Sequence, residues 1–452
     1  MARFWLMVSL LLLSGCSETD LDAPPSSPLS FEELKQRVSR IRGLPFQQEI
    51  SLETRSTETI QTILEKSLGE EYRKENLQQQ ARVYARLGLL PEATDLPKAL
   101  LELRLFQQSV YDSRGKTIFL PKGPLRPGLA FLGRSSVPED ITKQLLLIYA
   151  LSYSLQEQHF HWDEKIRNRN TEDSRLTLRA LRKGDATLVA LAHLMGNPQE
   201  NRQKMIHGIK GLSNLSAQID RELPHLPELL RQKVAFQIVQ GSEFVSWAYA
   251  LKGWEGVNAL LLHPPLSTEQ ILHPEKYYMK RDDPVRITPW GLIRQLSGKK
   301  IIDDTLGEFL IQSLLSRTLS KGEAIEAAAG WAGDSLLAFQ QREELVLGWV
   351  TAWDDREEAR EFFRGFQRAL ERRHGISLEP SPAGADTLTT SPSSRISLLL
   401  QIRDNFVFFL DGIPLPRSVE IADGLWNDLE IGIESEPFEL AKRTRQTRSV
   451  GK

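Results

Sequence analysis

The chain has 452 residues and a single cysteine, Cys16, so no disulfide can form within it and the fold must stand on packing and hydrogen bonding. It has no surplus of charge either. Lysine and arginine number 57 against 59 aspartate and glutamate, a formal net charge of −2, which gives no field for gathering nucleic acid or anionic substrates. With no arginine-aromatic recognition pattern to offset that, nucleic acid is not expected as a partner. Crossing a bilayer as a mature helix takes about 20 apolar residues, and the apolar run at the N-terminus extends only from Phe4 to Leu13. There is no Gly-x-Ser-x-Gly elbow and no glycine-rich phosphate loop, so two frequent catalytic signatures are missing. With 40% apolar and 26% charged residues, the chain is globular and can bury a substantial core.

The opening "MARFWLMVSLLLLSGCSETD" places Arg3 before the short apolar run, the layout of a secretory signal peptide over residues 1–15. Leu13, Ser14, Gly15 and Cys16 resemble the lipobox of bacterial lipoproteins. The resemblance implies that Cys16 becomes the lipidated first residue, carrying palmitate-type acyl chains that anchor the protein to a membrane of the cell envelope. Ser17 is not the aspartate associated with inner-membrane retention, which points to the outer membrane where an organism has two. Residues 16–29, with Pro24, Pro25 and Pro28, are polar and stiffened, and read as a flexible tether. Ser30 and Glu33 have the spacing of a capping box that opens a helix, so the folded part is expected from about residue 30.

From there to about residue 110 the apolar positions recur at helical spacing, as in "TIQTILEKSL" and "ARVYARLGLL". "VYDSRGKTIFLPKG" and "GLAFLGRSS" read as strands with turns, followed by one long helix, "EDITKQLLLIYALSYSLQEQHF". Past "RALERRHG", the Pro- and Ser-rich residues 376–394 read as a flexible insertion. "RISLLLQI" and "NFVFFLDGIP" then read as strands within 395–432, with Asp411-Gly412 as the turn signal and a small sheet packing back on the main body. The basic tail over 433–452 has too few apolar residues to pack.

Several segments carry a resemblance that covers most of residues 50 to 370. "IYALSYSLQEQHF", "LRALRKGDATLV", "LKGWEGVNALLLHPPLSTEQILHPEKYY", "AAAGWAGDSLLAF" and "WVTAWDDREEAREFF" are similar, in this order, to a family of bacterial gluzincin-like zinc metallopeptidases. The resemblance implies an α+β, mainly helical chain with a zincin-type domain over residues 30–375, in which "VYDSRGKTIFLP" is the cleft strand. It also implies where the chemistry should be. The family's two zinc histidines fall on Tyr149 and Tyr153, its general-base glutamate on Ala150, and its third ligand, a glutamate, on Lys183.

Residues four apart share a helix face, which is why histidines at that spacing chelate one ion. Here the spacing is kept and the donors are replaced. A phenol binds metal well only when ionised, an ammonium has no lone pair, and alanine accepts no proton. No metal and no cofactor is therefore expected, and the chain reads as a pseudopeptidase that binds or scaffolds, with a peptide or envelope protein in the vestigial cleft. Two alternatives stand beside it: a zinc peptidase using other ligands, and a purely structural lipoprotein. Glu157, one turn beyond Tyr153, is expected to form an ion pair with Lys183. His273 and Tyr277 are candidate cleft residues, although the capping and proline chemistry around His273 also suits a plain structural turn.

Overall fold

The computed structural model describes residues 28–72, 74–106, 110–123, 138–195, 209, 211–381 and 384–433. Cys16, the segment expected to be a signal peptide, the expected tether up to residue 27, "GLAFLGRSS" and the tail from residue 434 lie outside the described residues. α1 (Phe31–Arg42) starts at the expected capping box: Ser30 Oγ accepts the Glu33 N–H at 3.4 Å, and Glu33 Oε2 accepts the Ser30 N–H at 2.8 Å. The helix stops at Gly43, where φ is 63°, the left-handed cap that favours glycine.

A strand that the sequence does not announce follows. β1 (Ser51–Arg55) is short and polar. β2 (Val110–Asp112) and β3 (Thr117–Pro121) form the expected hairpin, and β3 has an open edge that β1 fills in parallel, from Ser51 opposite Thr117 to Arg55 opposite Pro121. Between these strands run α2 (Thr57–Glu71), α3 (Lys74–Leu87) and α4 (Leu96–Phe106).

α5 (Glu139–Phe160) is buried from Leu145 through Ser152 without a gap, so it is a core helix enclosed on all sides rather than one with a wet face. His161 turns the chain with a φ of 51° into α6 (Trp162–Arg167), and α7 (Glu172–Met195) packs back along α5. The helix Glu228–Leu262, broken by a kink at Lys252 and Gly253, then crosses α7 at very short range. A Cβ on Gly184 would stand 2.2 Å from Gly241 O, and one on Gly241 would stand 2.2 Å from Ala180 O. Only glycines allow the two backbones to approach this closely.

The second half is built on an antiparallel sheet of seven strands in the order β5-β6-β7-β11-β10-β9-β8. These are β5 (Lys299–Asp304), β6 (Trp331–Gln341), β7 (Glu344–Trp353), β8 (Glu379–Ser381), β9 (Gly384–Thr389), β10 (Leu398–Arg403) and β11 (Phe406–Asp411). Both faces are covered at the centre, which explains why β7 and β11 are apolar almost throughout. On one face Trp349, Trp353 and Phe409 pack with Phe362 and Phe366 of the helix Arg356–His374. On the other, Val350, Phe408 and Leu410 meet Leu292, Ile421 and Leu425. β4 (Val285–Pro289) and β12 (Leu429–Ile433) form a separate pair.

Three expectations for the C-terminal part are corrected here. Residues 376–394 are not a flexible insertion, because β8 and β9 lie within them and Thr387, Leu388 and Thr389 are buried. The β-branched "TLTT" outweighs the surrounding proline and serine once β10 offers an edge. The strands that follow do not make a small sheet of their own: β11 pairs with β7 and extends the main sheet. The hairpin turn lies at Asp404-Asn405, with Asp404 at a φ of 54°, and Asp411 is committed elsewhere. Its carboxylate takes both Nε and Nη2 of Arg86 at 2.6 Å, a bidentate pair that ties α3 to β11.

Candidate functional site

α5 and α7 run side by side and bring Tyr149, Tyr153 and Lys183 together. The Lys183 ammonium lies 4.7 Å from the centre of the Tyr149 ring and 5.8 Å from that of Tyr153. The two tyrosine rings meet edge to face at 6.5 Å. Tyr149 is buried and its hydroxyl shares a 2.8 Å hydrogen bond with Thr187 Oγ1, while Thr187 in turn donates to the Lys183 carbonyl at 2.8 Å. Ala150 is buried on the same helix. Three of the four positions, Tyr149, Tyr153 and Lys183, meet directly, as a cation packed on aromatic faces.

These residues do not fit a zinc ion. Burial pushes the Tyr149 phenol up and the Tyr153 phenol up to about 12, so neither is available as phenolate near neutrality. Burial also lowers the Lys183 ammonium, with Arg182 adding to that effect and Tyr149 opposing it. Among the described residues no group of three or more histidine, cysteine, aspartate or glutamate side chains converges on a point where a metal could be held.

The expected Glu157–Lys183 ion pair does not form. Glu157 sits in the last turn of α5, and its Oε2 accepts the Asp163 N–H at 2.7 Å. The left-handed turn at His161 brings the free N–H groups of the α6 start back over that carboxylate, and an unsatisfied helix terminus is a stronger claim than a distant ammonium. His273 and Tyr277 are not cleft residues of this site either. His273 Nε2 lies 3.0 Å from the buried Glu308 Oε1, a contact that raises the imidazole pKa, and Tyr277 packs on Phe244. Neither borders the cavity described next.

Beside Tyr153 and Lys183 is a cavity of about 460 Å³ bounded by α2, α3, α4, α6, α7 and the helix Glu228–Leu262. Residues that the sequence reading missed dominate its polar wall. Arg182 lies 4.4 Å over the Tyr153 ring and donates to Asp163 Oδ1 at 2.7 Å. Arg104 and Arg179 share the Glu71 carboxylate, and Lys233 holds Glu172 at 2.7 Å. A signal for this wall existed in the sequence. Arg179 lies three residues before Arg182 and four before Lys183, so the three share one side of α7, but such stripes ordinarily face solvent.

Behind the site, Asp185 is buried against Arg42 at 3.2 Å and accepts from Gln156 Nε2 at 2.8 Å. This contact anchors α7 to α1 and α5 two residues from Lys183, on the other side of the helix. Fold and site together define an α+β, mainly helical protein with a cation-lined cavity between its N-terminal helices. Residues 294–407 match a family described as a domain of unknown function (DUF8575), a stretch that runs from the short helix before β5 into β11. No curated protein and no solved structure matches the chain.

Proposed function

We propose that the protein is a lipid-anchored component of the bacterial cell envelope whose gluzincin-like fold binds or scaffolds rather than cleaves. One observation carries this reading: Lys183, Tyr149 and Tyr153 pack on one another at the positions where the resemblance puts zinc ligands, beside a cavity of ligand size. The group that would polarise a carbonyl and supply hydroxide has no donors to hold it. What is left is a concave site with charge and aromatic surface, suited to recognition.

The test is zinc itself. Calorimetry and metal analysis of the wild type should find no stoichiometric zinc. The triple change Tyr149→His, Tyr153→His and Lys183→Glu should bind about one ion per chain and gain thermal stability from it. Zinc at one per chain in the wild type, removable by chelator with loss of a cleavage activity, would overturn the reading. The anchor has its own test: Cys16→Ser should release the protein from membranes or block its maturation.

A further inference from the structure

We propose that the cavity beside Lys183 binds an apolar chain ending in a single carboxylate, with the Lys183 ammonium receiving that carboxylate. The proposal rests on the reading of this site as one that binds rather than cleaves. Charge pairing along the wall is its first support. The other half-buried cations there have their acids within the chain: Arg104 and Arg179 with Glu71, Arg182 with Asp163, Lys233 with Glu172. Lys183 has none. Among the described residues its ammonium meets only the faces of Tyr149 and Tyr153, and no carboxylate is within ion-pair distance. Among the lining residues, basic side chains outnumber acidic ones eight to five, so the surplus is positive and has its deepest uncompensated member at Lys183. An ammonium taken out of water without a counter-charge is a cost that a ligand carboxylate would offset.

The shape and the rest of the lining specify the remainder of the ligand. Leu64, Leu100, Leu103, Val110, Leu230 and Val234 provide an apolar wall, and a volume of about 460 Å³ lies within the range of small-molecule sites, about 300–1,000 Å³. Bidentate capture of a doubly charged phosphate would use the planar forks of arginine. Those forks are already occupied by Glu71 and Asp163, whereas a lone ammonium matches one negative charge. The ligand class is therefore a monoanionic amphiphile.

Titration calorimetry of the full chain with octanoate and with octanamide, its neutral counterpart, tests this directly. Octanoate should bind, with octanamide at least about tenfold weaker, and Lys183→Met should weaken octanoate by at least about tenfold, the scale of a lost charge-assisted contact. Lys183→Glu keeps the test independent of one variant's folding: it should reject octanoate and accept octylammonium, with cooperative melting as the check on its structure. An N-acetylated dileucine acid, run beside its amide, separates the sources of the carboxylate. Tighter binding of that acid than of octanoate, lost in Lys183→Met, supports the site and assigns the carboxylate to a peptide end. No binding of either acid, or binding indifferent to head-group charge and to Lys183→Met, overturns the proposal. That failure is distinguishable from failure of the underlying reading, which would show instead as stoichiometric zinc in the wild type.

Discussion

At the scale of single residues, Lys183 and His193 make opposite uses of burial. Lys183 carries its charge in a half-buried site with no acid beside it, so stacking on two phenol rings, worth about 0.5–2 kcal/mol, works against desolvation that already lowers its pKa. Replacing it removes both. Lys183→Met should therefore leave the melting temperature unchanged or raise it, and a clear fall in a thermal melt would show that the ammonium stabilises the fold. His193 is buried as the neutral imidazole, its pKa pushed down to about 4 by burial and by nearby Arg37. The unfolded chain takes up this proton below its ordinary value near 6.5, whereas the folded chain does so only near 4. The stability contributed by the difference is complete above 6.5 and is lost as pH falls from 6.5 towards 4. Between pH 7 and 4.5 the wild type should lose about 2 to 3 kcal/mol more than His193→Gln in urea unfolding. Equal losses would mean that His193 titrates normally.

At the scale of elements, the crossing of α7 with the helix Glu228–Leu262 sets which way Lys183 points. Ala180 and Gly184 occupy the contact face, and the neighbouring positions Arg179, Arg182 and Lys183 are left to face the cavity. Gly184→Ala would put a methyl 2.2 Å from a backbone oxygen, and neither helix can give way without moving its own core. The expected loss is at least about 2 kcal/mol, at the upper end for overpacking. Gly322→Ala, where a Cβ meets nothing within 4 Å, should be neutral or stabilise by up to about 1 kcal/mol. Chemical denaturation of the two variants side by side tests the crossing, and equal behaviour would contradict it.

At the scale of the whole molecule, the sheet makes the C-terminal part integral. A chain ending after residue 375 would lose β11 from the edge of β7, Phe409 from the aromatic stack on Phe366, and Asp411 from Arg86. The exposed β7 edge and bare apolar faces should produce an insoluble or non-cooperative product. A soluble fragment with a sharp thermal transition would show instead that residues 30–375 fold independently.

Local signals carried the reading of the sequence wherever the structure is decided by residues close in the chain. The Ser30–Glu33 capping box, the extent of α5 and the β2–β3 hairpin follow from spacing and turn chemistry alone. So did the convergence of Tyr149, Tyr153 and Lys183, since residues four apart share a helix face and the resemblance supplied the facing helix. What only the tertiary structure decided depended on distant partners. β1 and β9 become strands because β3 and β10 offer edges to them, and Asp411 serves Arg86 rather than a turn. Glu157 is claimed by the start of α6, and the α7 cations face a cavity rather than water because two glycines bring another helix against the opposite side. Spacing along the chain shows which side chains share a face. Which partner each one meets there is set by competition among hydrogen bonds, charges and edges that only the packed chain brings together.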